Sequence, residues 1–371
     1  MKQIKVLYLG GFELPDKNAA AQRVMAIGKT LRVMGCHVSF LGLTKASGGY
    51  CDAYDGFSCE SLPYPSNIKD WLYHITEFVN TDKIDSYHPD YVILYNFPAI
   101  AGLKILRHCH KHGIKVLHDT TEWEQAESFS FKDSIKRLDI FLRMRYCLKK
   151  MDGVIAISRF LYDYYSPKVN TVLIPPTVDL EDEKWGRGRV FSSDDTIRLV
   201  YAGNAGSKTK DRLDYVVEAV STFNNFLLTV VGLTKEQYEE DFGKLPHICN
   251  NICFLGRIPH KEAVKAVCDA DFQVLIRENT LKNRAGFPTK FVESITCCTP
   301  LIATLSSNIA DYLVDEKNGF IVEDHNSLDK VLERISLLSK EDRIEMKSYC
   351  RDNNPFDYRN YTSEINKLLT C

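Results

Sequence analysis

The chain has 371 residues, 44% hydrophobic and 26% charged, which excludes a disordered or fibrous polypeptide and leaves room for two domains of roughly 150 residues each. Forty-seven basic residues against 49 acidic ones leave a net charge of −2, with no electrostatic footprint for a nucleic-acid partner. No apolar run approaches the ~20 residues of a membrane helix, no cleavable signal precedes the first strand-like segment, and the 12 cysteines contain no Cys-x-x-Cys pair, so a cytoplasmic protein with reduced thiols is expected.

Ile4 to Leu9 is an apolar run ending at Gly10-Gly11. It predicts a buried strand whose glycine turn lets a ligand approach the backbone. Asn18 is a good N-cap for a helix from Ala19 to Met34, stopped by Gly35, and His37 to Gly42 is the next strand. Strand, glycine turn, helix and strand make a βαβ unit, with Gly10, Gly11 and Asn18 on its ligand side. The Gly-x-Gly-x-x-Gly fingerprint is absent, which speaks against NAD and a dehydrogenase. The pattern recurs in Tyr91–Tyr95, a helix from about Ile100 to His110, and the strand Ile114–Leu117. That strand delivers His118, Asp119 and Glu122 at its carboxyl end, where open α/β sheets bind ligands. His108, His110 and His112 read as caps on the helix end before Gly113, not as metal ligands.

Residues 132–150 are basic and amphipathic: Lys132, Lys136, Arg137, Arg143, Arg145, Lys149 and Lys150 alternate with apolar side chains. This predicts either a solvated helix face or one resting on an anionic membrane, where each basic side chain adds roughly 1 kcal/mol. Strands Gly153–Ile157 and Thr171–Ile174 close this half.

Residues 180–195 are polar and lack periodicity, marking the domain boundary. Ile197–Ala202 restarts the strand pattern and leads into a glycine-bearing loop with Gly203, Asn204, Lys208 and Lys210. Such a strand-to-helix loop suits a diphosphate, although Walker A spacing is missing. Further strands are Phe226–Gly232, Ile252–Gly256 and Phe272–Ile276. His247-x-Cys249-x3-Cys253 lacks a second ligand pair and reads as free thiols; Asp269-x-Asp271 reads as a helix-to-strand turn at the wrong end of its strand for ligands. The loop from Arg277-Glu278-Asn279 to Gly286 carries ionisable groups before a helix that opens with Pro288 at its first position. Lys290 and Glu293, three apart, share a face of that helix. Its amide cluster and lysine suit a nucleotide diphosphate, and Glu293, one turn further in, suits ribose hydroxyls. Pro300–Ala303 is a buried strand, and helices follow around 327–338, 340–351 and 358–369. Two α/β domains with parallel sheets are therefore expected, the second holding a nucleotide and the first presenting an acceptor.

These pieces, taken together, resemble the bacterial group 1 glycosyltransferases (sugar-transferase family 4, GT-B fold). The resemblance spans nearly the whole chain. It rests on Gly10-Gly11, Pro89-Asp90-Tyr91-Val92, His118-Asp119, Met151 to Ser158, Ile174 to Asp179, Tyr201-Ala202-Gly203 with Lys210-Asp211, and Phe287 to Pro300 through Val322. It implies two Rossmann-like domains facing across a cleft: an acceptor domain over 1–180, a linker over 181–195, a nucleotide-sugar domain over 196–354, and a C-terminal helix in 355–371 returning to the first domain. It implies that Glu293 holds the donor ribose, that Lys210 meets the diphosphate, and that His118 lies near the transferred sugar. The family's first glutamate falls on Ala285 and its loop arginine on Asn204; Glu278 is the substitute for the former, and Lys290, with Lys208 and Arg277, supplies charge for the latter. The implied reaction is a retaining, metal-independent transfer of a sugar from a nucleotide sugar to a glycan or lipid-linked acceptor, in surface polysaccharide synthesis at the inner membrane face. Glu122, Gly10, Gly11 and Asn18 are then acceptor-side residues. A nucleotide-sugar epimerase of the same fold and a non-catalytic two-lobed sugar-binding protein remain the alternatives.

Overall fold

A computed structural model describes residues 3–14, 18–45, 50–123, 131–186, 195–203, 211–246, 250–324 and 327–370. The chain divides into two compact units, residues 1–178 with 357–371, and residues 179–356.

The first unit is built on eight strands: β1 (Lys5–Gly10), β2 (His37–Thr44), β3 (Tyr50–Tyr54), β4 (Phe57–Pro63), β5 (Tyr91–Tyr95), β6 (Lys115–Thr120), β7 (Gly153–Ala156) and β8 (Thr171–Leu173). Their order is β3-β4-β2-β1-β5-β6-β7-β8, and every pairing is parallel except β3 with β4. β1 shows why the apolar runs are continuous. Val6 and Tyr8 point to one buried cluster, with Val24, Ile27 and Phe40, while Leu7 and Leu9 point to the other, with Val92 and Leu94. A parallel sheet covered on both faces needs apolar residues at every position.

The C-terminal helix Thr362–Leu369 closes the first cluster with Ile365 and Leu368. Gly153 makes room for it, since a Cβ there would press on Leu368. Burying those two side chains contributes about 1.5–3 kcal/mol each. Tyr91 also donates its hydroxyl to the Leu369 carbonyl at 2.7 Å.

The second unit has six parallel strands, β9 (Ile197–Ala202), β10 (Phe226–Val231), β11 (Ile252–Gly256), β12 (Phe272–Leu275), β13 (Leu301–Thr304) and β14 (Gly319–Val322), in the order β11-β10-β9-β12-β13-β14. Asp271, just before β12, accepts from the Arg198 N–H at 2.7 Å and ties that end of the sheet. In each unit the chain winds outward in one direction, then returns to the other side of its first strand. The reversal lies between β1 and β5 in the first unit and between β9 and β12 in the second. Ligands of open α/β sheets bind beyond the carboxyl ends of the strands at such reversals.

Several local expectations change. β3 and β4 form an edge hairpin that the strand pattern did not reveal. Its turn, Asp55-Gly56, has φ of 50° and 75°; an Asp-Gly pair between Tyr54 and Phe57 is a hairpin signal. β6 runs on to Thr120, which places His118 inside the strand, paired with Leu94 and Val154. Arg143 leaves the basic face of 132–150 and is buried. Pro288 caps its helix, which spans Thr289–Thr296. Among the described residues, no helix is long and apolar enough to cross a membrane.

Candidate functional site

At the reversal of the second unit, β9 ends at Gly203, β12 runs into Arg277, and the helix Thr289–Thr296 starts beside them. Lys290 turns inward. Its Nζ donates to the Tyr201 hydroxyl at 2.7 Å and to Asp211 Oδ2. Arg277 Nε donates to Asp211 Oδ1 at 2.6 Å, and Tyr201 donates its hydroxyl to Asp211 Oδ2 at 2.6 Å. Thr304 Oγ1 accepts from the Arg277 N–H and donates to the Arg277 carbonyl, both at 2.7 Å, which holds the arginine's backbone in place. Two cations therefore share one carboxylate. Burial alone raises the Asp211 carboxyl; Lys290 first and Arg277 second outweigh it and hold the group at about 2. Lys290 and Arg277 thus meet on one carboxylate beside a helix start that no side chain caps. Helix starts and fixed cations together favour phosphate.

Gly203 is required here for a reason other than ligand approach. Its φ of 136° lies outside the range L side chains adopt readily, and a Cβ on it would collide with the Lys290 stem. Glu293 lies one turn along the helix, partly exposed, with Oε1 4.0 Å from His260 Nε2. Although three apart on one helix, Lys290 and Glu293 go to different surroundings: the lysine passes under Gly203, and the glutamate stays at the rim. Glu278 is exposed and paired with Arg212, which also grips Asp214 at 2.8 Å. Ala285 is fully buried in the short helix Leu281–Ala285, so the position where the family glutamate falls lies inside the core. Asn204, Lys208 and Lys210 lie outside the described residues, as do His247 and Cys249.

In the first unit, Gly10 packs against Tyr95 so closely that a Cβ would meet the Tyr95 Cβ at 2.7 Å and its carbonyl at 2.8 Å. Asn18 caps the helix Ala19–Val33, accepting from the Ala21 N–H at 2.9 Å, which is a structural duty. Beyond β1 and β5 lies a cavity of about 370 Å³ lined by Gly11, Tyr95, Asn96, Glu122, Lys136 and Arg143, among others. Asn96 follows β5 with φ of 41°. Its amide donates to Thr121 Oγ1 at 2.6 Å and to Glu122 Oε1 at 3.4 Å.

His118 does not face this space as a proton donor. The Phe97 N–H donates to its Nε2 at 3.2 Å, so the ring proton sits on Nδ1, which donates to Thr120 Oγ1 at 2.8 Å. Burial first, and the nearby Arg143 charge second, push the ring down to about 3. The buried ring is thus neutral and accepts from the backbone of the turn after β5. Asp119 is likewise sealed: Arg23 reaches it at 2.7 and 2.9 Å, and Tyr8 donates to it at 2.5 Å. Of the three histidines before Gly113, His112 Nδ1 bonds the His108 carbonyl at 2.9 Å, while His108 and His110 pair with Asp85 and Asp152 at 2.8 and 3.0 Å. The ligand atoms of Asp85, His108 and His112 lie within 4.8 Å of one another. Of the cysteines whose side chains are described, Cys253 is exposed and the others are buried. Sequence reasoning missed Tyr201 and Asp211 as holders of the two cations; the signal was Asp211, which directly follows the loop lysine.

The family described as "Glycosyl transferases group 1" matches residues 188–355. A sequence search among curated proteins finds no match. Sucrose-phosphate synthase from Thermosynechococcus elongatus superposes with a TM-score of 0.70 at 14% identity, covering 99% of this chain and 98% of its own. Anabaena HepE in complex with UDP-glucose gives 0.67 at 14% identity, covering 99% and 100%. The lipopolysaccharide outer core galactosyltransferase WaaB gives 0.66 at 13%, covering 99% of each chain. At such identities the likeness concerns the fold. The group 1 glycosyl transferase model therefore falls on the second unit, in a chain whose whole length carries the GT-B fold.

Proposed function

We propose that the protein is a retaining glycosyltransferase that moves a sugar from a nucleoside diphosphate sugar to an acceptor hydroxyl. The observation that carries this reading is the cluster in which Lys290 and Arg277 share the single carboxylate of Asp211 at the reversal of the matched domain. These two cations and the amides of the Thr289–Thr296 helix oppose the negative charge that builds on the diphosphate as the glycosidic bond breaks. Glu293 accepts from the ribose hydroxyls. Glu278, paired with Arg212, is placed near the sugar in this reading. The acceptor belongs in the cavity of the first unit, where Glu122 and Asn96 offer hydrogen bonds to its hydroxyls. No metal is required in this scheme, because resident cations perform the charge compensation. HepE is solved with UDP-glucose, which supports a uridine diphosphate sugar as the first donor to try.

The test is a thermal-shift screen of nucleotide sugars. A donor at about 100 times its Kd stabilises the folded state by about 2.7 kcal/mol, and Glu293→Ala is expected to remove most of that shift. No shift with any nucleoside diphosphate sugar would overturn the reading, and an intact shift in Glu293→Ala would reject the ribose assignment. The proposal of a surface-polysaccharide pathway draws on surface chemistry: exposed Leu138, Phe141 and Tyr146 stand among Lys132, Lys136, Arg145 and Lys150. That face suits peripheral docking on an anionic membrane, where surface polysaccharides are assembled on lipid carriers. Flotation with anionic vesicles that persists after Lys132, Lys136, Arg145 and Lys150 are all changed to Gln would reject the docking face.

A further inference from the structure

Arg143 is the feature of the first unit that the transfer reaction leaves unexplained. The helix Phe131–Leu142 widens into a π-helical turn over Arg143–Cys147, and the extra residue per turn carries Arg143 from the basic surface to the wall of the cavity. Such widened turns recur at functional sites. The turn is held open by Tyr165, whose hydroxyl donates to the Met144 carbonyl at 2.7 Å.

Arg143 is 6% exposed, and only one of its nitrogens is used: Nη1 donates to the Asn96 carbonyl at 2.8 Å. Nε and Nη2 are closed to water and have no partner. No carboxylate among the described residues lies within ion-pair distance of the guanidinium. Asp139, also on the cavity wall, accepts from the Ala99 N–H at 2.8 Å, and Glu122 accepts from Asn96. A buried charge without a counterion is costly. The vacant edge is also the one with a defined chemistry. Nε and Nη2 present two parallel N–H groups, the fork that takes a carboxylate or phosphate in bidentate fashion.

We infer that Arg143 is an oxyanion site: the acceptor carries a phosphate or carboxylate that docks on the Nε/Nη2 edge, with its sugar in the cavity. This rests on the reading that the first unit takes the acceptor. The edge is covered in this structure, so docking includes a small outward shift of the wall that covers it. A cavity of about 370 Å³ lies at the small end of the range for ligand pockets and accommodates a monosaccharide with its charged group. His74, on the same wall, is pushed by burial to about 4 and contributes no charge at neutral pH. Arg143 and Lys136 are cations of this lining, and Glu122 and Asp139 are its carboxylates.

The experiment uses the intact chain at constant ionic strength, with chloride as the reference anion. Inorganic phosphate, acetate, glucose 6-phosphate and glucuronate are titrated while the melting temperature is followed, and vesicles containing phosphatidate form a parallel arm. A saturable stabilisation that Arg143→Gln weakens about tenfold or more, and that Arg143→Lys restores only in part, is expected. Arg143→Lys keeps the charge and loses the fork, so it also serves if the Gln variant does not fold. A response to the sugar anions assigns a glycan-borne group, and a response to vesicles alone assigns a lipid phosphate. Absence of any saturable response, or equal affinity in wild type and both variants, overturns the inference. UDP-glucose is measured alongside: loss of its shift speaks against the transferase reading, whereas an intact donor shift without an anion response speaks against Arg143 alone. In transfer assays, Arg143→Lys is expected to raise KM about tenfold for an anionic acceptor and to spare its neutral analogue.

Discussion

Each unit buries a tyrosine, an aspartate and a cation at the carboxyl end of its sheet, and the two clusters differ in charge. In the first unit, Arg23 grips Asp119 through two nitrogens and Tyr8 completes the carboxylate. One cation meets one anion, and nothing is left over. In the second, Tyr201 donates to Asp211 in the same manner, but Arg277 and Lys290 both converge on that carboxylate. The first arrangement is complete and structural. The second brings two cations to one carboxylate, and this separates the two otherwise similar constellations.

The largest expected effect breaks both clusters. Asp119→Asn and Asp211→Asn each leave buried cations without their counterion, which destabilises by about 3–5 kcal/mol. The Asp211 change should cost at least as much, because it strands two cations. Urea unfolding checks this, and a loss below about 1 kcal/mol in either variant would mean that water replaces the carboxylate.

Acid should separate the units next. The His118 ring titrates at about 3 in the folded state against 6.5 unfolded, so the unfolded chain takes up the proton first. Stability of the first unit therefore falls as pH drops through 6.5 toward 3. Asp211 behaves differently: its folded value of about 2 lies below 3.8, so its contribution is present above 3.8 and is lost only as pH falls toward 2. Amide protection factors, corrected for the intrinsic pH dependence of exchange, should fall from pH 7 to pH 5 more in β6 than in β9, and the reverse order would contradict the burial of a neutral His118.

The smallest stability effect should come from Lys290→Met. It leaves Asp211 with Arg277 alone, the one-to-one balance of the first unit, and costs about 2 kcal/mol or less. Donor stabilisation should nevertheless be largely lost. If the thermal shift with nucleotide sugars survives, Lys290 is not part of the phosphate site.

Much of the fold was legible because its signals are local. Continuous apolar runs such as Ile4–Leu9 and Phe226–Val231 announce strands buried on both faces, and glycines mark their ends. The edge hairpin was legible too, in Asp55-Gly56, but its strands carry the polar residues of a half-exposed edge and do not stand out by hydrophobicity. Site residues were harder. His118 was placed at a strand end because the apolar run stops at Leu117; pairing with β5 and β7 continues the strand through polar residues that an apolar criterion cannot recognise. Arg143 looked like one more cation on a basic face, and a single widened helical turn moved it inside.

From the sequence alone come the two α/β halves, the boundary near residue 180, and a helix carrying Lys290 and Glu293. Tertiary structure alone decided which charges meet. Asp211 lies 66 residues from Arg277 and 79 from Lys290, and Asp119 lies 96 from Arg23. Counterion balance is set by neighbours in space, where a few ångströms in a low-dielectric interior govern the interaction. No local spacing records that distance.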